Sequence, residues 1–376
     1  MKKYDIAAYI WPAYTGDEKR TRMFWPEGMG EWQSVKNARE NSIDYKQEWY
    51  ETWKQRKPLW GYVNEADPDV MRMQIDCAAD HGVNVFIYDW YWYDNRPFLD
   101  NCLNDGFMKA KNNDRMKFYL MWANHDVPHV WSIEHSDDIG WEEFIWQGFV
   151  TKDVFESLVD RWIDKYFPHP SYYKIDGKPV FMIYDLANFI KGFGSHEAAR
   201  EGIEFFRKKV EEAGFPGLHL QVVLWDIDAE NYSGVDGERC DVAALYSYFG
   251  FDSASHYQWV SFQAPGDYVK MTERTKEEYE KMEQRGICYF PHVSLGWDNN
   301  PRFKKYRPDV ATNATPENVE AAFRQAKEYA DTHELPAPLI TVNSWNEWTE
   351  TSYLEPDGLY GYGYLDAIKK VFLDGE

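Results

Sequence analysis

Short apolar runs recur along the chain, separated by longer segments in which apolar residues return every three to four positions. The runs fall at Asp5–Ile10, Val83–Tyr88, Lys117–Trp122, Pro179–Tyr184, His219–Leu224, Asp241–Tyr246, Gly286–His292 and Leu339–Asn343. A short run of this kind suits a strand buried on both faces, whereas the longer period suits a helix with one covered face. Helices are clearest over Asp67–Asp80, Phe155–Tyr166, Glu197–Ala213, Lys270–Gln284 and Pro316–Thr332. Asp67 is placed to cap the first of them, Pro68 occupies its first turn, and Gly82 follows its end. Strands alternating with helices predict an α/β fold, and eight of them predict a (β/α)8 TIM barrel. No repeat or linker interrupts the pattern, so residues 1–376 are expected to form a single barrel domain.

Two connections are long: 11–66 after the first strand and 123–154 after the third. Segments that follow barrel strands build the C-terminal face, where active sites lie. Seventeen of the 18 tryptophans fall at strand ends or in such segments, and only Trp162 falls in a helix. That distribution predicts a cleft lined for flat, amphipathic ligands. Aromatic residues make up 18% of the chain, which suits sugar rings with their C–H faces but equally suits an aromatic core.

Charge narrows the partners. A formal charge of −22 and a pI near 4.9 argue against nucleic acid phosphates and anionic membranes and favour a neutral ligand. No apolar run approaches the ~20 residues of a membrane span. The run that starts at Ile6 ends by Trp11, too short for a signal peptide, so a native Met1 implies a cytoplasmic protein. Cys77, Cys102, Cys240 and Cys288 lack CxxC spacing and are expected to be reduced thiols.

The most informative stretch runs from Val342 through Ser344-Trp345-Asn346-Glu347-Trp348-Thr349-Glu350 to Leu354-Glu355-Pro356. It follows the last predicted strand, so its polar groups emerge on the C-terminal face. Glu347 and Glu350 share one face if the segment turns as a helix. Two neighbouring carboxyls away from water cannot both ionise easily, and one becomes an acid at neutral pH. Glycoside cleavage uses such a pair. Two surface glutamates at a helix start are the plainer alternative.

Ser344 to Asp357 closely resembles the terminal motif of WbsX-type proteins, relatives of the endo-α-mannosidases of glycoside hydrolase family 99. Gly28 to Trp32 (GMGEW), Asp67 to Gly82, Asp89 to Trp92 (DWYW), Trp122 to Asn124 (WAN), Lys178 to Tyr184 and Trp297 to Asn299 (WDN) match in the same order. The resemblance implies that Glu347 deprotonates the sugar 2-hydroxyl, which attacks C1 to give a 1,2-anhydro sugar. Glu350 would protonate the leaving group and then activate water, with net retention. The family commonly reads WANE where this chain has Trp122-Ala123-Asn124-His125-Asp126, a departure that bears on the substrate.

Glu31, Asp89, Trp92, Trp122, Asn124, His125, Tyr184, Tyr246, His292, Trp297, Asp298, Trp345 and Asn346 are further candidates for substrate contact. Each is as well suited to packing, and His292 to the core. Asp226 and Asp228 form a DxD, the pair that holds a metal on a nucleotide sugar in many glycosyltransferases. His125 and His129 have helical metal-pair spacing, but Pro128 lies between them. There is no GxSxG elbow and no glycine-rich phosphate loop, and no metal or cofactor is expected. The sequence therefore predicts a retaining glycosidase on an α-linked oligosaccharide or polysaccharide. A glycosyltransferase of polysaccharide synthesis and a non-catalytic glycan-binding barrel are the alternatives.

Overall fold

In a computed structural model, which describes residues 4–16, 18–128, 131–132, 144–225, 232–233 and 239–374, the chain forms eight parallel barrel strands, seven of which overlap an apolar run. They are β1 (Asp5–Ile10), β2 (Val85–Tyr93), β3 (Lys117–Trp122), β4 (Lys178–Ile183), β5 (His219–Leu224), β6 (Ser253–His256), β7 (His292–Ser294) and β8 (Leu339–Asn343). Their spatial order is β6-β5-β4-β3-β2-β1-β8-β7. Every neighbouring pair is parallel, with Tyr9 opposite Ile87 and Trp90 opposite Trp122. The sheet closes where Ala254 of β6 bridges Tyr289 just before β7. At that bridge the Ala254 amide bonds the Cys288 carbonyl at 2.8 Å, and the Phe290 amide bonds the Ala254 carbonyl at 2.9 Å. The fold is the expected (β/α)8 barrel.

The outer layer comprises α1 (Pro68–Asp80), α2 (Lys152–Lys165), α3 (Leu186–Phe193), α4 (His196–Glu212), α5 (Val242–Phe249), α6 (Tyr268–Gln284), α7 (Pro316–Thr332) and α8 (Gly363–Phe372). Asp67 caps α1 by accepting from the Asp69 amide at 2.8 Å. None of the described helices is long and apolar enough to cross a membrane.

One strand was misplaced by the sequence pattern. Asp241–Tyr246 is the start of α5: the Asp241 side chain accepts from the Ala243 amide at 2.9 Å, and Gly250 closes the helix at φ 66°. The sixth strand is instead Ser-Ala-Ser-His, which no apolar run announces. Its polarity is absorbed inside the barrel, where Ser255 Oγ lies 2.6 Å from Thr341 Oγ1 and donates to the Phe290 carbonyl at 3.0 Å. Strand β7 begins at the last residue of the predicted Gly286–His292.

Strand alternation decides which side chains face the centre. Tyr9 points inward, because its hydroxyl crosses the barrel to the His256 carbonyl at 3.1 Å. Its register partner Ile87, and with it Asp89 and Tyr91, therefore point inward as well. Trp90 points outward, with Nε1 3.3 Å from the Tyr166 hydroxyl at the end of α2. The long segment 11–66 folds over the C-terminal face as short helices at Trp32–Lys36, Ala38–Asn41 and Gln47–Trp53.

Candidate active site

The segment after β8 is held open as a platform. Ser344 Oγ donates to the Ser352 carbonyl at 2.6 Å and accepts from the Glu347 amide at 2.7 Å. Asn346–Glu347 pairs antiparallel with Ser352–Tyr353, and Trp348–Glu350 makes one turn of 3₁₀ helix between them. The turn brings the Glu347 and Glu350 carboxyls to one side, where both reach the same guanidinium, that of Arg302. Beneath them lies a second acidic pair, Glu65 and Glu355. The Gln74 amide donates to both, at 3.2 and 2.7 Å, while Asn346 Nδ2 bonds Glu65 at 2.9 Å and Trp348 Nε1 bonds Glu355 at 2.6 Å. The residues on either side of Glu347 are thereby pinned. Burial raises the Glu65 carboxyl to about 7 against the hydrogen bonds from Asn346, Gln74 and Cys102, and burial and then the Glu65 charge raise the Glu355 carboxyl well above its ordinary value, against Trp348.

Arg302 draws the upper acids together. Its Nη2 donates to Glu347 Oε1 at 3.0 Å, its Nε to Glu31 Oε1 at 3.1 Å, and its Nη1 to Glu350 Oε1. Burial works against the guanidinium charge, but Glu31, Glu350 and Glu347 together hold it firmly protonated. Glu31 is fully buried, also accepts from Trp11 Nε1, and reaches the site because Gly30 adopts φ 63°. A Cβ on Gly30 would fall 1.9 Å from the Ala13 carbonyl oxygen, so only glycine fits there.

Across the barrel mouth, the Tyr257 hydroxyl lies 2.6 Å from Glu347 Oε2 and 3.0 Å from Asp89 Oδ2. Burial raises the Glu347 carboxyl, while Arg302 and Tyr257 oppose the rise. Burial and then the Glu347 charge push Glu350 up to about 8, against Arg302. Burial and then Glu347 also raise Asp89 well above the usual range. The two glutamates are therefore unlike: Glu347 has two donors on its carboxylate, and Glu350 favours its protonated form.

His125 and Tyr184 complete the border, with ring centroids 5.3 Å apart and Tyr184 5.3 Å from Tyr257. His125 Nδ1 lies 2.8 Å from the Asp126 carbonyl, which can only accept, so the ring hydrogen sits there and Nε2 is an acceptor. Burial lowers its pKa and keeps the ring neutral. Tyr91 and Trp131 pack edge-on against it.

Other sequence candidates lie elsewhere. Trp92 stacks on outward-facing Trp90 at 6.0 Å, and Trp122 packs on Trp162 of α2 at 5.6 Å, both on the helix side of the sheet. Trp345 also faces the helices, 5.4 Å from Phe86 with Nε1 bonded to Gln74. Asn346 ties Glu65 to the Trp11 backbone, and Asn124 is occupied by the Asp185 backbone at 2.7 and 2.8 Å. Tyr246 belongs to α5 and sits near the start of β6, at the opposite end of that strand from Tyr257. His292 is wholly buried within the barrel, bonded to Thr341 at 2.8 Å and Ser294 at 3.0 Å. Trp297 follows β7 and is tied to Ala311 through its carbonyl. Asp298 accepts from Trp49 Nε1 at 2.6 Å in a neighbouring cavity of about 320 Å³, behind the peptide of Glu350. Asp226, Asp228 and His129 lie outside the described residues.

The expected tryptophan cleft is corrected too. Trp25, Trp32, Trp90, Trp122, Trp162, Trp259, Trp345 and Trp348 are fully buried, so much of the excess is packed in the core, between strands and helices or under the loops. Conversely, Arg302 and Tyr257 were not singled out from the sequence. Arg302 follows the WDN motif by three residues, and Tyr257 was hidden by the misplaced sixth strand.

The sequence family described as Glycosyltransferase WbsX matches residues 6–368. The protein WxcX of Xanthomonas campestris pv. campestris strain ATCC 33913, described as uncharacterized, is 24% identical over 363 residues, covering 92% of this chain and 46% of that protein. The chain thus spans about half the length of the curated relatives it matches. Among solved structures, the GH99 endo-alpha-mannosidase from Bacteroides thetaiotaomicron in complex with bis-tris-propane superposes with a TM-score of 0.60 at 15% identity, covering 97% of this chain and 95% of that one. A glycoside hydrolase-like protein gives 0.61 at 15% identity, covering 99% and 94%. Likeness at that identity establishes the shared fold.

Proposed function

The chain belongs to the WbsX glycosyltransferase family, and from that premise we propose that its barrel acts as a retaining glycosidase on an α-linked glycan, with manno configuration the first to test. The observation that carries this reading is the unlike state of two adjoining carboxyls. Glu347 is held as an acceptor by Arg302 and Tyr257, while Glu350 is pushed up to about 8 and carries a proton at neutral pH. Paired acids whose environments separate their proton affinities are what acid/base cleavage of a glycoside requires.

In the first step Glu347 takes the proton of the sugar 2-hydroxyl as O2 bonds to C1. The C1–aglycone bond breaks, and Glu350 delivers its proton to the departing oxygen. In the second step Glu350 takes a proton from water as the hydroxide bonds to C1. The C1–O2 bond opens, and Glu347 returns its proton to O2. Two displacements at C1 give net retention. Glu31, Asp89, His125 and Tyr184 border the pair; Glu31, His125 and Tyr184, with Arg302 and Tyr257, are the proposed ligand contacts, and Asp89 reaches Glu347 only through Tyr257.

The test is a panel of α-linked oligosaccharides scored for new reducing ends with the wild-type chain, Glu347→Gln and Glu350→Gln. Release by the wild type that drops by about 10²–10⁴ in both variants supports the assignment. Near-wild-type release by both variants refutes it. The family description favours a second reading, transfer from an activated sugar. A phosphorylated donor needs cations, and Arg302 already serves Glu31, Glu347 and Glu350. Sugar transfer from a nucleotide donor to an acceptor, without hydrolysis of the panel, would establish that reading instead.

A further inference from the structure

Tyr257 carries a single hydroxyl hydrogen, yet two acids crowd its oxygen, Glu347 Oε2 at 2.6 Å and Asp89 Oδ2 at 3.0 Å. Both acids are buried, with 3% and 4% exposure. One hydrogen cannot serve two carboxylates well, because the second anion would face a lone pair of the phenol oxygen. The shorter contact has the length of a hydroxyl donating to a charged carboxylate, so the phenol hydrogen belongs to Glu347. The longer contact is then a good hydrogen bond only if Asp89 Oδ2 carries a hydrogen of its own. The other oxygen points the same way. Asp89 Oδ1 is buried without a partner among the described residues, which costs a neutral carbonyl oxygen far less than an anion. The titratable groups facing Asp89 are Tyr9 on β1, Tyr91 and Tyr93 on β2, Tyr184 after β4, Tyr257 after β6, and Glu347 and Glu350 after β8. These are phenols and acids, while the nearby guanidinium of Arg302 directs its bonds to the three glutamates.

We propose that Asp89 works as a neutral carboxylic acid that donates from Oδ2 to Tyr257, and so fixes the Tyr257 hydroxyl as a donor to Glu347. The proposal rests on the reading of Glu347 as the base, and Asp89 is in that scheme a positioning residue. With Oε2 held by Tyr257 and Oε1 by Arg302, the Glu347 carboxylate cannot rotate away from the sugar hydroxyl it must deprotonate. An ionised Asp89 would instead compete for the phenol hydrogen and release one end of that carboxylate.

Asparagine copies a neutral acid, with one donor and one acceptor, and cannot copy an anion. Asp89→Asn should therefore keep kcat/KM on a cleaved oligosaccharide within about tenfold of wild type, and Asp89→Ala should lose about 10². A second readout needs no substrate. An acid kept neutral by the fold gives stability that is complete below its ordinary pKa and is lost as pH rises toward its raised value. Asp89→Asn escapes that loss, so it should melt above wild type at about pH 8, with the gap closing toward about pH 4. In the wild-type protein, ¹³C spectra of labelled aspartate should retain a protonated carboxyl at about pH 7 that is missing from Asp89→Asn. An asparagine variant as damaged as alanine, or melting no higher than wild type at about pH 8, overturns the proposal. So does a wild-type spectrum in which every aspartate carboxyl is ionised at about pH 7. If no glycan is cleaved, the glycosidase reading fails alone, because melting and spectra still decide the state of Asp89.

Discussion

At the scale of single residues, Glu350 is the group whose charge has the clearest consequence. With its carboxyl raised to about 8 by burial and by Glu347, it donates a proton below that pH and cannot above it. Turnover should therefore fall as pH rises through about 8, and Glu350→Gln should abolish that alkaline limb for an activated aryl glycoside that needs no protonation. The same shift bears on folding. Stability is complete below the ordinary carboxyl range and is lost toward pH 8, so Glu350→Gln should melt higher than wild type in mild alkali and lower its advantage in acid. A melting temperature that responds equally at both ends would assign Glu350 to the scaffold. Much of this site was legible as sequence: Glu31, His125, Tyr184, Glu347 and Glu350 follow strands, Asp89 lies in the C-terminal half of β2, and the six come together. Arg302 was not, because one arginine in a loop has no periodicity, and its role depends on three acids from two distant segments. The tryptophans misled for the opposite reason. Strand alternation turns Trp90, Trp92 and Trp122 toward the helices, and a residue type cannot reveal which face of a strand it occupies.

At the scale of elements, apolar runs located every barrel strand except β6 and the true start of β7. Those strands face a polar interior in which Ser255, Thr341, His292 and Ser294 bond one another, so hydrophobic patterning has nothing to detect. The decoy at Asp241–Tyr246 was apolar because it is a short helix buried along one side, and its cap and its terminal Gly250 were the signals to weigh. The β8 platform makes a sharper demand. Glu355 accepts from both Gln74 and Trp348, and Glu355→Ala strands the buried Trp348 Nε1 and one of the two Gln74 amide hydrogens, leaving Gln74 with Glu65 alone. We expect a loss of about 2–4 kcal/mol in chemical denaturation, each orphaned group costing ~1–3 kcal/mol. A loss comparable to that of an exposed glutamate would mean that water replaces the carboxylate there.

At the scale of the whole molecule, the helices and long loops bury one continuous core around the barrel, and the proposal that residues 1–376 act as one domain predicts a single calorimetric unfolding transition. Two resolved transitions would divide the chain. The closure of the barrel carries a further implication. Seven of its strand interfaces are ladders, whereas β6 meets the chain before β7 through the bridge at Ala254, helped by Ser255 on the Phe290 carbonyl. A ring breathes where it is stitched most thinly, and amide protons there meet solvent before the ring as a whole comes apart. Deuterium should thus enter at Ala254 and Phe290 sooner than at Ala8 or Phe86 in the ladders of β1 and β2. Because Tyr257 directly follows β6, each such opening is expected to loosen the phenol on Glu347 while Arg302 still holds the acidic pair, so the seam would act on one end of that carboxylate alone.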